Sequence, residues 1–254
     1  MTSASSSASS FAGGSSEKSI AATLSHVDMC FEGADGPLQV LFNITTTLSL
    51  GQLTMLVGPS GCGKTTLLSI ISGILLPTRG RVVVDGVELG TLSDTEKTLF
   101  RRKRIGFIFQ QYNLLPSLTA AENAGLPLVA SGVTLEDAAQ QARVLLAEMD
   151  MKAHADKLPR QLSGGQQQRV AIARALVHNP KMIVCDEPTA ALDGKAGQGV
   201  MAILRHISND PQRCVLLVTH DSRIFHFADR VLEMSDGYLT GDTSSKNSLS
   251  QTFV

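Results

Sequence analysis

The stretch LTMLVGPSGCGKTT, residues 53–66, decides the fold. Leu53 to Val57 is a short continuous apolar run, which reads as a strand buried on both faces, and Thr66 to Ile74 reads as a helix. Between them, Gly58-Pro59-Ser60-Gly61-Cys62-Gly63-Lys64-Thr65 matches G-x-x-x-x-G-K-[ST] in the strand–loop–helix setting that this pattern needs. The glycines let the backbone curl so that successive N–H groups face one point, and the helix start adds its dipole. Such a cradle suits phosphate oxygens. Lys64 supplies a point charge for the β- and γ-phosphates, and Thr65 a hydroxyl for Mg²⁺.

Two further runs, Met182 to Cys185 and Val215 to Val218, are equally apolar and are separated from the first by helical stretches. Together they predict an α/β fold: a phosphate-loop core with a mostly parallel sheet covered by helices. Before and around the loop, Leu24 to Leu89 is rich in strand signals and predicts an N-terminal antiparallel β subdomain. Within it, Asp85-Gly86 accepts the positive φ angles of a two-residue turn, so Arg81 to Leu89 reads as a hairpin. Leu135, Ala138, Ala139, Ala142, Leu145, Leu146 and Met149 recur at the three-and-four spacing of one helix face, after a cap at Thr134 with Asp137. This predicts an inserted helical subdomain at about residues 113–163. Residues 1–19 are almost entirely Ser, Ala and Gly and read as a flexible tail; residues 241–254 are expected to be weakly ordered, leaving 20–240 as the domain.

Two acids close the second apolar strand, at Asp186 and Glu187 before Pro188. The carboxyl end of a strand is where open α/β sheets place ligands. There Asp186 suits holding Mg²⁺ through water, and Glu187 suits polarising an attacking water. A third run, LSGGQQQR at 162–169, leads into a helix with Val170, Ala173, Leu176 and Val177 on one face. It offers a second anion site: the Ser163 hydroxyl, two glycines that permit close approach, and bare N–H groups at a helix start.

LSGGQQQR resembles the signature of the ABC ATPases, and the resemblance covers about residues 22–240 with every expected element in order. It implies ATP as ligand, with Mg²⁺. It also implies a head-to-tail homodimer in which each ATP lies between the phosphate loop of one copy and the signature of the other. On this resemblance Gly58, Ser60, Gly61, Cys62, Gly63, Lys64, Thr65 and Thr66 bind the nucleotide, and Phe31 stacks on the adenine. Ser163, Gly165 and Gln166 contact the ATP of the other copy, and Asp193 matches the D-loop, with Ala191 where serine is common. Gln110 is implied to sense the metal and the transport partner, His220 to contact the γ-phosphate, and Thr65, Gln110 and Asp186 to form the metal side. Cys62, flanked by a helix start and Lys64, is expected to react with alkylating agents unless ATP protects it.

The segment Ile105 to Asn123 resembles the subgroup that serves macrolide export and lipoprotein release. That subgroup implies a separate integral membrane permease with a large extracytoplasmic domain, with or without a periplasmic adaptor. Tyr112, Leu114, Leu115 and Leu118 are then candidate docking residues. The ATPase subunit of an amino-acid importer is the alternative. A chromosome-maintenance relative would need a long coiled coil between the loop and the signature, and a translation-associated one would carry each motif twice.

Composition agrees with these limits. In 254 residues, 43% are hydrophobic and 18% charged, enough to bury a large core. A net charge of −1 leaves no footprint for wrapping nucleic acid. Cys30, Cys62, Cys185 and Cys214 form no CxxC pair and suit free thiols in a reducing compartment. The most apolar stretch, Leu67 to Leu76, is about half the roughly 20 residues of a membrane span. With no signal-peptide pattern at the N-terminus, the expectation is a soluble chain peripheral to the cytoplasmic face of the inner membrane through its permease.

Overall fold

The computed structural model describes residues 19–33 and 36–244. Two sheets form the frame. β1 (Ile20–Gly33) and β2 (Gly36–Ser49) make a long antiparallel pair, and β4 (Arg79–Val84) and β5 (Val87–Glu88) complete a four-stranded sheet ordered β2-β1-β4-β5. The hairpin turn of the last two falls at Asp85 and Gly86, with φ of 48° and 75°, as the Asp-Gly pair predicts.

The second sheet carries the chemistry. It contains β3 (Gln52–Val57), β6 (Ile105–Ile108), β7 (Met182–Asp186), β8 (Cys214–Thr219), β9 (Arg230–Ser235) and β10 (Tyr238–Thr243), ordered β10-β9-β3-β8-β7-β6. Every pairing is parallel except β9 with β10. β3 is buried along its whole length, and its side chains alternate between two cores. Leu53, Met55 and Val57 face one core, and Leu56 faces the other, built with the antiparallel sheet and helix α1 (Lys64–Ile71).

α2 (Asp94–Arg104) leads into β6. The inserted helices are α3 (Ala120–Val129) and α4 (Leu135–Glu148), which pack with α5 (Gly164–Leu176); α6 (Gly194–Ser208) follows β7. Thr134 caps α4 as expected, its hydroxyl accepting from the Asp137 N–H at 3.2 Å. No helix among the described residues is long and apolar enough to cross a membrane.

One boundary needs correcting. The chain stays ordered past Gly241: β10 pairs Gly241, Asp242 and Thr243 with Glu233, Leu232 and Val231. Arg230 holds this edge, donating to both oxygens of Asp242 at 2.8 and 2.6 Å. A polar, glycine-containing segment is drawn into the sheet by a partner twelve residues away, which local composition does not register. Of the expected tails at 1–19 and 241–254, residues 1–18 and 245–254 lie outside the described residues.

Candidate functional site

The loop after β3 is shaped by glycines that no other residue replaces. Gly58 has φ 151°, and a Cβ there would lie 2.0 Å from the Met234 carbonyl oxygen. Gly63, at φ 101°, is the N-cap of α1 and gives that helix no side-chain cap. The first N–H groups of α1 therefore have no partner from a cap. Lys64 is buried and folds back, donating to the Gly58 and Pro59 carbonyls at 2.8 and 2.7 Å.

A cavity of about 570 Å³ opens over this loop. Ser60, Gly61, Gly63, Lys64, Thr65, Thr66, Gln110, Asp186, Glu187 and His220 line it, so residues from four separate segments converge there. Asp186 ends β7 opposite Val218 of β8, and burial, followed by the charge of Glu187, raises its carboxyl above the ordinary range, with Lys64 opposing. Glu187 takes φ 49°, unusual for a residue with a side chain, while its N–H donates to the Val218 carbonyl at 3.0 Å. The strand ladder thus continues while the chain turns, and the Glu187 Oε1 sits 2.6 Å from His220 Nδ1. That contact requires the proton on Nδ1.

Thr65, Asp186 and Gln110 all reach this cavity and offer only oxygen and amide groups, the donor set of a hard divalent cation. Burial first, and then the Glu187 charge, raise the Asp186 carboxyl, and a bound cation would offset both. Mg²⁺ fits these residues.

Ser163, Gly165, Gln166 and Asp193 line a different cavity, of about 480 Å³, together with Asp150, Arg169 and Lys195. The two cavities share no residue. Ser163 starts α5 with a capping box: Gln166 N–H donates to Ser163 Oγ at 3.4 Å, and Ser163 N–H donates to Gln166 Oε1 at 2.9 Å. Asp193 caps α6 by accepting from the Ala196 N–H at 2.8 Å. Gly165 packs closely against α6, where a Cβ would come within 3.1 Å of the Ala196 Cβ.

Some expected residues lie elsewhere. Gly58 and Cys62 do not line the first cavity, and the Cys62 thiol is buried in the core, 3.7 Å from Lys64 Nζ. The expected reaction with alkylating agents is therefore obstructed by packing. Phe31 is exposed on β1, paired with Leu38, and does not line the cavity, whose apolar residues are Val40 and Val218. Sequence reading also missed Arg174. From α5 it donates to the main-chain oxygens of Asn113 and Tyr112 at 2.6 and 2.8 Å, clamping the segment after Gln110. An arginine within a helical run carries no local sign of such a reach.

Fold and cavities together define a phosphate-loop nucleotide-binding domain. Residues 41–190 match the ABC transporter family, and the chain belongs to it, as an ATP-binding cassette. It is 43% identical over 211 residues to the macrolide export ATP-binding/permease protein MacB of Campylobacter jejuni, covering 83% of this chain and 33% of that protein. The chain thus spans about a third of the length of this relative. It is 40% identical over 218 residues to the uncharacterized ABC transporter ATP-binding protein MJ0796 of Methanocaldococcus jannaschii, covering 84% of this chain and 93% of that one. A dimeric structure of MJ0796 in a post-hydrolysis state, bound to ADP and Pi, superposes with a TM-score of 0.80 at 38% identity, covering 88% of this chain and 98% of that one. The cbiO1 structure from Clostridium perfringens, part of the transporter complex cbiONQ, gives a TM-score of 0.81 at 26% identity, with 92% of each chain covered.

Proposed function

We propose that this chain binds and hydrolyses ATP as the motor of a transporter, pairing head to tail with a second copy so that two ATP molecules are enclosed between them. The observation that carries this reading is the division of the machinery. One cavity holds Lys64, Asp186, Glu187 and His220, and another, with no residue in common, holds Ser163, Gly165 and Gln166. On this reading each cavity supplies half of an ATP site, and a second copy turned end to end would bring one of each together.

In this reading the loop N–H groups and Lys64 Nζ take the β- and γ-phosphates, the lysine exchanging its two carbonyl partners for phosphate oxygens. Glu187 accepts the proton of the attacking water, and His220, held at 2.6 Å, orients that carboxylate and faces the γ-phosphate. Thr65, Asp186 and Gln110 would hold Mg²⁺, which when bound neutralises charge on the phosphates. Phe31 is assigned to the adenine face, and Asp193 to the contact between copies.

Similarity to the macrolide-export relatives supports work with a permease of the exporter or mechanotransmission type; we read that permease as a separate protein, reached through Tyr112, Leu114, Leu115 and Leu118, with the chain on the cytoplasmic face. A periplasmic adaptor belongs to the same reading. Gentle detergent extraction followed by identification of co-purifying membrane proteins tests it. A permease with a large extracytoplasmic domain supports it, whereas a many-span permease with a solute-binding protein points to import.

The composite site is tested with Glu187→Gln. Hydrolysis is expected to fall about 10²- to 10⁴-fold while ATP drives the chain into a stable dimer on size exclusion. A variant that stays monomeric with ATP and hydrolyses at the original rate sinks the reading.

A further inference from the structure

Gln166 stands between two partners. Its Oε1 accepts from the Ser163 N–H at 2.9 Å, and its Nε2 lies 3.1 Å from His154 Nε2. The first contact decides the second. With the amide oxygen committed to Ser163, the group facing the imidazole is an NH₂ donor, so His154 Nε2 accepts. The ring then carries its proton on Nδ1, which is buried without a hydrogen-bond partner among the described residues. His154 ends the short turn Lys152–His154 ahead of α5 and does not line the second cavity. It reaches that cavity through Gln166.

We propose that His154 is a positioning residue for the signature helix, fixing the Gln166 amide so that the start of α5 is preset to receive nucleotide from a second copy. This rests on the reading of Ser163 and Gln166 as a half-site for the partner's ATP. A Gln166 amide turned by half a rotation would set NH₂ against the Ser163 N–H, donor to donor, and open the capping box. The Ser163 N–H disfavours that state, and with the amide oxygen on Ser163 the His154 Nε2 takes the remaining NH₂ at 3.1 Å and limits the swing of the Gln166 side chain. With the box closed, Ser163 Oγ accepts from the Gln166 N–H and its own O–H is left to donate outward. Preset donors lower the ordering needed when the phosphate arrives.

The test measures ATP-driven dimerisation in the Glu187→Gln background together with nucleotide binding by the monomer. His154→Leu is expected to weaken dimerisation by about 3- to 10-fold, the scale of one neutral hydrogen bond, without changing monomer affinity for ATP. His154→Gln keeps an acceptor near Nε2 and should restore most of the loss. In a Gln166→Ala background, His154→Leu should add nothing. Persistence of its full effect there would assign the residue a structural role and overturn the proposal. No effect of His154→Leu, while Ser163→Ala does weaken dimerisation, overturns it equally. If Ser163→Ala itself leaves dimerisation intact, the half-site reading falls first and the proposal with it. Should His154→Leu melt below the assay temperature, His154→Phe, which keeps a ring but has no acceptor, takes its place in the same cycle with Gln166→Ala.

Discussion

Two helix starts in this chain are available to phosphate, and they are finished in different ways. α1 begins at Gly63 in a left-handed conformation with no side-chain cap, so its N–H groups await an acceptor. α5 begins at Ser163 with both halves of a capping box closed, and a histidine braces the glutamine behind it. An uncapped N-terminus beside a buried lysine gains at once from an anion. A capped one gains only when the incoming group offers more than the side chains already supply. On the proposed two-copy reading, the difference suits α1 to the first capture of ATP by a single copy, and α5 to a second step that needs the nucleotide already held.

Lys64→Ala should break the comparison most severely. Loss of the buried cation is expected to lower ATP turnover by about 10³-fold and to abolish stabilisation by nucleotide in a thermal melt. Retained binding would make the two helix starts equivalent. Ser163→Ala should separate them: ATP-driven dimerisation weakens by about 10- to 100-fold, while a fluorescent nucleotide titrates the single chain as before. The lost cap also lowers fold stability by about 1 kcal/mol. Equal loss in both assays would erase the distinction.

Asp186 sharpens the first site further. Its raised carboxyl means that the folded chain binds that proton more tightly than the unfolded one. Its contribution to stability is therefore present in acid and lost as pH rises through the folded value. At neutral pH without nucleotide, Asp186→Asn should melt about 2–4 °C higher, with the gain vanishing as pH falls toward about 4. A pH-independent difference in melting would argue against this origin. The smallest effect belongs to the thiols: a maleimide should label half-buried Cys30 first, leaving Cys62, Cys185 and Cys214 until the chain unfolds. Rapid labelling of Cys62 would mean that the loop opens more freely than its packing shows.

The contrast between α1 and α5 was partly legible from residue order. Contiguous patterns carry their own geometry, so the phosphate loop, the Asp85-Gly86 turn, the acids ending β7 and the helix start at Ser163 were all readable from a few neighbours. What escaped depends on distant partners. The Cys62 thiol turns into the core because the loop's backbone angles aim it there, so its place beside Lys64 in sequence misled. Phe31 sits on a long hairpin whose shifted register sequence does not give. β10 is an edge strand held by Arg230, and His154 acts through one amide across twelve residues. Such contacts exist only once the chain has folded.

Arg174 bears on how such a protein can change. It is largely buried, and its guanidinium, kept below its usual pKa by burial, grips the main-chain oxygens of residues 112 and 113 rather than any side chain. The attachment of that loop to α5 is therefore indifferent to what Gln111, Leu114 or Leu115 happen to be. Surface chemistry there is free to drift toward a new neighbour while the mechanical grip on the helix stays as it was, so fit and linkage evolve separately.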